Sequence, residues 1–428
     1  MDTLNIRKDF PYLDSQINGR PPVYFDSAAT THKPVQVINT ISEIYSKYNA
    51  PVNRSAYSSG GTATELYLKA HENIARFIGA PSYRGIVLTK NATEAINLLA
   101  YALVQSRESG INLSSGDEII IPLSEHHSNY IPWMRMAETS GVVIKNLQLN
   151  ADGLIDLPAL KSLITDKTKL ICCAHVSNVL GIINPVKEMA ITAKDAGALF
   201  LVDGNQSVPH MPVNVQDIGC DFFVFSGHKM LGPAGTGVLW GRESLLEKLP
   251  PFIYGGGMVK SVKGLSVEWN DLPWKFEAGT PDMCGAVALA GAENILKGIK
   301  LTGAMDYLSR IGMQNVLKYE QHLSSYALEK LADVEGVKVY GPRTHENRSG
   351  IISFNVYKDG EMTDAHIISE FLSSCGIEAR AGGHCAYPLM NEMKISGTLR
   401  ISFYIYNTID EIDYFIDSLI DIIENRLL

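Results

Sequence analysis

The sequence predicts an α/β fold: a mostly parallel sheet covered by helices, followed by a smaller α+β domain. Three observations carry this expectation. The chain has 428 residues, 46% of them apolar, enough for more than one sizeable core. Residues from about 20 to 283 alternate between short apolar β-rich runs and helical patterns, which builds parallel sheets with helices over their faces. After about residue 284 the alternation gives way to a long helical stretch and separated strand-like runs.

In order, the strand-like runs of the first part are Ile86–Thr89, Glu118–Ile121, Val142–Leu147, Lys169–Ala174, Leu199–Val202 and Phe222–Phe225. Helical patterns at Thr93–Gln105 and Val186–Asp195 lie between them. In such sheets ligands gather beyond the C-terminal ends of the strands. The run Gly232-Pro-Ala-Gly-Thr-Gly237 lacks the GxGxxG order after a strand. It reads as a turn, not as a dinucleotide site. In the second part, Val337–Tyr340 and Ile351–Val356 read as strands. A helix follows, with Thr363 as its cap and Ile367, Ile368, Phe371 and Leu372 on one face. Thr408-x-x-Glu411 is a capping-box pattern opening a final amphipathic helix.

The formal charge of −9 argues against nucleic acid as a main partner, and no Lys/Arg-rich block overrides it locally. The start, Met1-Asp2-Thr3-Leu4, lacks the basic and apolar regions of a signal peptide, and no apolar run reaches the length of a membrane span. The six cysteines form no CxxC pair and no disulfide-like framework. A reduced, cytoplasmic setting is the expectation, one in which a free thiol can serve as a nucleophile.

Chemistry-bearing residues cluster at the predicted strand ends. Asp221-Phe-Phe-Val-Phe-Ser-Gly-His-Lys229 is a strand that closes in polar residues. Ser226 and His228 can donate to phosphate, and Gly227 lets the backbone come close. Ala198-Leu-Phe-Leu-Val-Asp203 ends in a carboxylate. Without a His/Cys/Glu cluster at ligand spacing a metal is disfavoured, and a protonated ring nitrogen is a fitting partner. Gln206 could bond a ring hydroxyl. The helix starting near Thr93 opens with backbone N–H groups suited to phosphate, and one of His126 and His127 could stack on a flat ring.

Together these pieces resemble the class-V branch of fold-type I pyridoxal-5′-phosphate (PLP) enzymes, most closely cysteine desulfurases of the SufS/CsdA type, the selenocysteine lyase group. The resemblance covers essentially the whole chain. It rests on "YFDSAATTHKP", "EHHSNYIPW", "HVSNVLG", "LVDGNQSV", "FSGHKMLGP", "FEAGTP", "RAGGHCAYPLM" and "RISFYIYNT", in the family's order. It implies a large PLP-binding domain at residues 21–283 and a small C-terminal domain at 284–428 carrying the catalytic cysteine, with residues 1–20 packing against the small domain.

By position, the resemblance makes Lys229 the lysine that holds PLP, Asp203 the partner of the pyridine nitrogen and Gln206 the contact to the ring oxygen. It makes His126 the ring-stacking, catalytic histidine. Thr93, Ser226 and His228 become phosphate contacts, and Thr280 a phosphate contact made across a homodimer interface. Asn178 and Arg400 become contacts to the substrate carboxylate, with Arg380 a nearby active-site arginine. Cys385 becomes the acceptor of sulfur from L-cysteine. Its turn, opened by Gly382-Gly383-His384, offers Arg380 and His384 as positive charges that lower a thiol pKa from about 8.5. Only 15 residues separate Cys385 from Arg400 (400 − 385), which suits the subgroup with a short, ordered cysteine loop. The implied reaction turns L-cysteine into alanine with a persulfide on Cys385. The sulfur then goes to an acceptor protein or small molecule for iron-sulfur cluster or other sulfur-compound biosynthesis. The alternative is a selenocysteine lyase or a pathway-specific carbon–sulfur lyase. Two departures bear on this: Asn53 and Gly383 stand where many relatives carry histidines. Cys172, Cys173, Cys220 and Cys375 read as core residues, and Cys284 is open.

Overall fold

Six apolar runs of the first part, with one further strand, pair into a seven-stranded sheet. We describe a computed structural model covering residues 2–53, 56–106, 110–344 and 347–427. The strands are β1 (Ile86–Thr89), β2 (Glu118–Pro122), β3 (Val143–Leu147), β4 (Thr168–Ala174), β5 (Leu199–Asp203), β6 (Phe222–Ser226) and β7 (Gly237–Gly241). Their order across the sheet is β1-β7-β6-β5-β4-β2-β3. Strands β6, β5, β4, β2 and β3 pair in parallel, and β7 runs antiparallel between β1 and β6. Every residue of β6 is buried. Phe223 and Phe225 point into one apolar layer, Phe222 and Val224 into the other, as the two-residue period of a strand requires.

Helices cover both faces. On one side lie α1 (Ser58–Phe77), α4 (Val186–Asp195) and α5 (Met283–Ala290); on the other, α2 (Ala92–Gln105) and α3 (Ile131–Ser140). Helix α2 starts where Asn91 accepts the Glu94 N–H at 2.9 Å, a side-chain cap for an otherwise orphaned donor. Strand β7 begins at the last residue of the run read as a turn and was not anticipated. The turn is real up to Thr236, but Gly237 already pairs with Thr89 and Ser226. A Cβ there would meet Asn91 Cα at 2.4 Å, so only glycine lets this strand pass the start of α2.

The second sheet has four main strands, β8 (Val337–Val339), β9 (Ile351–Lys358), β10 (Arg380–Gly382) and β11 (Thr398–Ser402), in the order β8-β9-β11-β10. Helices α6 (Met313–Ala332), α7 (Ala365–Ser374) and α8 (Ile409–Asn425) pack on it through a separate core. Thr408 and Glu411 form the capping box of α8. The cap of α7 is Asp364, not Thr363: its carboxylate accepts the His366 N–H at 2.9 Å. Ile367 points outward, 45% exposed, while Ile368 and Leu372 face the core. Near the N-terminus, Arg7 pairs with Glu411 at 2.6 Å and Tyr12 Oη donates to Glu378 at 2.7 Å. Asp9 binds Tyr307 at 2.7 Å.

Candidate active site

The C-terminal ends of β1, β4, β5 and β6 open into a cavity of about 360 Å³, closed from the other side by the second sheet. Its lining includes Thr93, His126, Asn178, Asp203, Gln206, Ser226, His228, Lys229, Arg380, Cys385 and Arg400. The two sheets therefore bring together every site residue expected from the sequence except Thr280. Thr280 lies outside this cavity, beside Tyr67, Glu277 and Pro281. Its loop is anchored by Glu277, which accepts from Tyr67 Oη at 2.8 Å and from the Leu88 N–H at 2.8 Å and pairs with His71 at 3.0 Å.

Burial sets the charges. Lys229 is brought down to about 8 by desolvation, against the pull of Asp203 that favours the ammonium form. Desolvation raises Asp203, and the bonds from Asn205 and the charge of Lys229 work the other way. Those bonds, from Asn205 N at 2.9 Å and Nδ2 at 2.7 Å, both fall on Oδ1. His126 is lowered to about 3, by desolvation first and then by Lys229. Its Nδ1 accepts the Ser128 N–H at 3.1 Å, so the ring is neutral with its proton on Nε2. His228 is lowered to about 4, again chiefly by burial.

PLP fits these residues. Gln206 Oε1 is buried without a partner while its Nε2 donates to the Ala28 carbonyl at 2.7 Å, which leaves an acceptor for a ring hydroxyl. The Asp203 carboxylate is a match for a protonated ring nitrogen. Ser226 Oγ accepts the Ala92 N–H at 2.9 Å and keeps its own proton for a phosphate oxygen at the start of α2. Among the described residues no group of His, Cys, Asp and Glu could hold a metal ion.

Cys385 is the exposed member of the six cysteines. It and His384 both sit in the left-handed region, at φ 54° and 49°, a conformation that costs a non-glycine residue of order 1–3 kcal/mol. The turn is held by His127 N–H donating to the Cys385 carbonyl at 2.7 Å and Asn178 Nδ2 donating to the His384 carbonyl at 2.8 Å. The loop beyond it is short and helical over Tyr387–Glu392, with Leu389 and Met390 buried. His384 is not a cation beside the thiol. Its ring turns inward to Thr398, 2.9 Å from Oγ1, and burial lowers it to about 3. Arg380 remains a cation beside Cys385, together with Arg400 and Lys229. A side chain at Gly383 would meet the Tyr387 ring at 2.5 Å, so a histidine there needs Tyr387 to move. Asn53 sits at φ 63° with its N–H on Thr64 Oγ1 at 2.8 Å, outside the cavity lining.

Burial pushes the thiols of Cys172, Cys173, Cys220 and Cys284 up. Cys375, at the end of α7, is half-buried and packs against the edge of the second sheet's core. Two features escaped the sequence. Thr30, Thr31 and Lys33 converge on the His228 carbonyl, with Lys33 Nζ at 2.9 Å, and so fix the peptide that precedes Lys229. Asp26 bonds both Arg380 and Arg400. It follows the short apolar run Val23-Tyr24-Phe25, two residues past a strand that ends at Tyr24.

Comparison with known proteins places similar chains around this site. The aminotransferase class-V family profile matches residues 23–415. A protein of Halalkalibacterium halodurans named probable cysteine desulfurase is 45% identical, over 96% of this chain and 96% of its own length. A Haloferax volcanii cysteine desulfurase is 40% identical, over 98% and 96%. Among solved structures, apo cysteine desulfurase from Thermococcus onnurineus superposes with a TM-score of 0.88 at 35% identity, covering 98% of each chain. The cysteine desulfurase CsdA (S-sulfonic acid) from Escherichia coli gives 0.85 at 33%, also over 98% of each.

Proposed function

The chain belongs to the class-V aminotransferase family, and from that premise we propose that it is a PLP-dependent cysteine desulfurase that takes sulfur from L-cysteine onto Cys385. The observation that supports this most is one cavity lined by a half-buried lysine, a buried carboxylate, a buried arginine and an exposed cysteine.

Bound PLP supplies an electron-poor ring that takes up the electron pair left when a proton leaves the substrate Cα. Lys229 holds the cofactor and, with an amine lowered to about 8, moves that proton near neutral pH. Asp203 keeps positive charge on the ring, His126 stacks on it, and Gln206 bonds its oxygen. Thr93, Ser226 and His228 hold the phosphate. Arg400 receives the substrate carboxylate with Asn178 beside it, since Arg400 Nε is buried without an acceptor. The Cys385 thiolate attacks the substrate sulfur. An S–S bond forms as the Cβ–S bond breaks, and Cβ takes a proton to become the methyl group of alanine.

The small domain, residues 284–428, carries Cys385, Arg380 and Arg400, while 21–283 carries the cofactor residues and 1–20 packs against the small domain. Thr280 acts in a homodimer, reaching the partner's phosphate. An acceptor protein or small molecule removes the sulfur for iron-sulfur cluster or other sulfur-compound synthesis, and the cytoplasm suits six free cysteines. Among the described residues no helix is long and apolar enough to cross a membrane. The test is to give the PLP-loaded protein cysteine with a thiol reductant and assay alanine, pyruvate and sulfide. Alanine and sulfide in equal amounts are expected; pyruvate as the main product would overturn the proposal.

A further inference from the structure

His384 and Cys385 are consecutive non-glycine residues in the left-handed region, a conformation that persists only where the surroundings hold it. On its upstream side the turn is fixed at His384, whose carbonyl accepts from Asn178 Nδ2 at 2.8 Å and whose ring bonds Thr398. Downstream, the short helix Tyr387–Glu392 opens after Ala386, which offers no side-chain cap. The first N–H groups of such a helix need an acceptor from elsewhere. His127 supplies one. It lies in the single turn His127–Asn129 that follows β2, and its Nε2 accepts the Tyr387 N–H at 3.2 Å. Its own backbone N–H donates to the Cys385 carbonyl at 2.7 Å. One residue from the large sheet's loops thus bonds the chain on both sides of Ala386. Because Nε2 accepts, the ring proton sits on Nδ1. Burial lowers the ring's pKa, which keeps a second proton off the accepting nitrogen. The Tyr387 ring lies against that of His127, 5.0 Å between centroids. It occupies space left open by Gly383, where a Cβ would meet it at 2.5 Å.

We propose that the His127 ring is a positioning residue for sulfur transfer, which holds the Cys385 turn in the conformation from which the thiol attacks. This rests on the desulfurase reading, in which Cys385 takes the substrate sulfur. His127 acts through the turn and lies outside the lining of the cavity. A merely structural role would weaken substrate binding and sulfur transfer together. A positioning role slows transfer alone, and any side chain that places an acceptor at the same point restores it.

The experiment compares the PLP-loaded wild type with His127→Ala and His127→Gln by three measurements. These are the rate of alanine formation from cysteine in a single turnover, the Kd for alanine from the cofactor's absorption, and hydrogen exchange of the Tyr387 amide. His127→Ala should slow alanine formation roughly three- to tenfold, the worth of one hydrogen bond. Its Kd for alanine should stay within about twofold of the wild type, and its Tyr387 amide should exchange faster by a factor similar to the loss of rate. His127→Gln, whose side-chain oxygen can accept from Tyr387, should bring rate and exchange back toward wild type. An unchanged rate in folded His127→Ala, a Kd that weakens in step with the rate, or a His127→Gln no better than His127→Ala overturns the inference. Where His127→Ala does not fold, as judged by thermal melting, the wild-type amide and His127→Gln decide: a Tyr387 amide that exchanges at the unprotected rate, or a His127→Gln variant that loses the rate, overturns it. A wild-type enzyme that makes no alanine from cysteine overturns the desulfurase reading instead, and the exchange of the Tyr387 amide then still shows whether His127 holds the turn.

Discussion

Lys229 is the residue on which the chemistry turns, and its burial makes a quantitative prediction for the protein without cofactor. Desolvation brings its amine from 10.5 to about 8. At about pH 7.5 an amine of pKa 8 is neutral in roughly a quarter of molecules, and one of pKa 10.5 in about one in a thousand. The nucleophilic form is therefore enriched about two-hundredfold by the site. Pulse labelling of the apoprotein with trace acetic anhydride, followed by peptide mass spectrometry from about pH 6 to 11, reads this directly. Steric shielding lowers the labelling rate of a buried amine but does not move its midpoint. The Lys229 midpoint should fall near 8, with exposed lysines as internal references at about 10.4. Asp203 favours the ammonium form, so Asp203→Asn should move the midpoint lower still. A midpoint above about 10, or an upward move in Asp203→Asn, would refute the reasoning.

Arg400→Gln should raise KM for cysteine about ten- to a hundredfold, the worth of a hydrogen bond to a charged group, and leave the cofactor's absorption unchanged; an unchanged KM would contradict the assignment. Glu320 and His210 form a buried pair at 2.8 Å between α6 and the loop after β5. Glu320→Ala, which leaves the imidazole buried and unpaired, should cost about 1–3 kcal/mol in denaturant unfolding, and no loss would show the pair to be idle. Thr280→Ala should release PLP more readily while sedimentation still gives a dimer; a fully active monomer would contradict the shared site.

Most of the cofactor half of the site was legible because strand ends announce themselves. Apolar runs closing in Asp203 or in Ser226-Gly-His-Lys229 put polar residues at the sheet mouth. Short apolar, β-rich runs also placed six strands of the large sheet to within a residue or so. Strand β7 was missed because glycines at both ends frame an apolar centre of only three residues, Val238–Trp240, and the approach of Asn91 to Gly237 is not visible in the sequence. The charge of His384 was misjudged because sequence shows a neighbour but not its direction, and the ring points to Thr398. The Asp26 clamp joins residues more than 350 apart in the chain, and no local pattern reports such a contact. The resemblance supplied Arg400 and Cys385, which composition and periodicity alone would not have singled out together.

The central claim is that sulfur passes to Cys385, and mass spectrometry of the loaded protein after limited cysteine, without reductant, tests it most directly. The peptide containing Cys385 should carry one added sulfur atom, and no other cysteine peptide should, since four of the remaining thiols are buried and pushed up by burial. Cys385→Ala should form no alanine from cysteine while keeping the wild-type cofactor absorption. If that variant releases alanine at the wild-type rate, or if the added sulfur sits elsewhere, Cys385 is not the acceptor and the chain is a lyase built on a desulfurase fold.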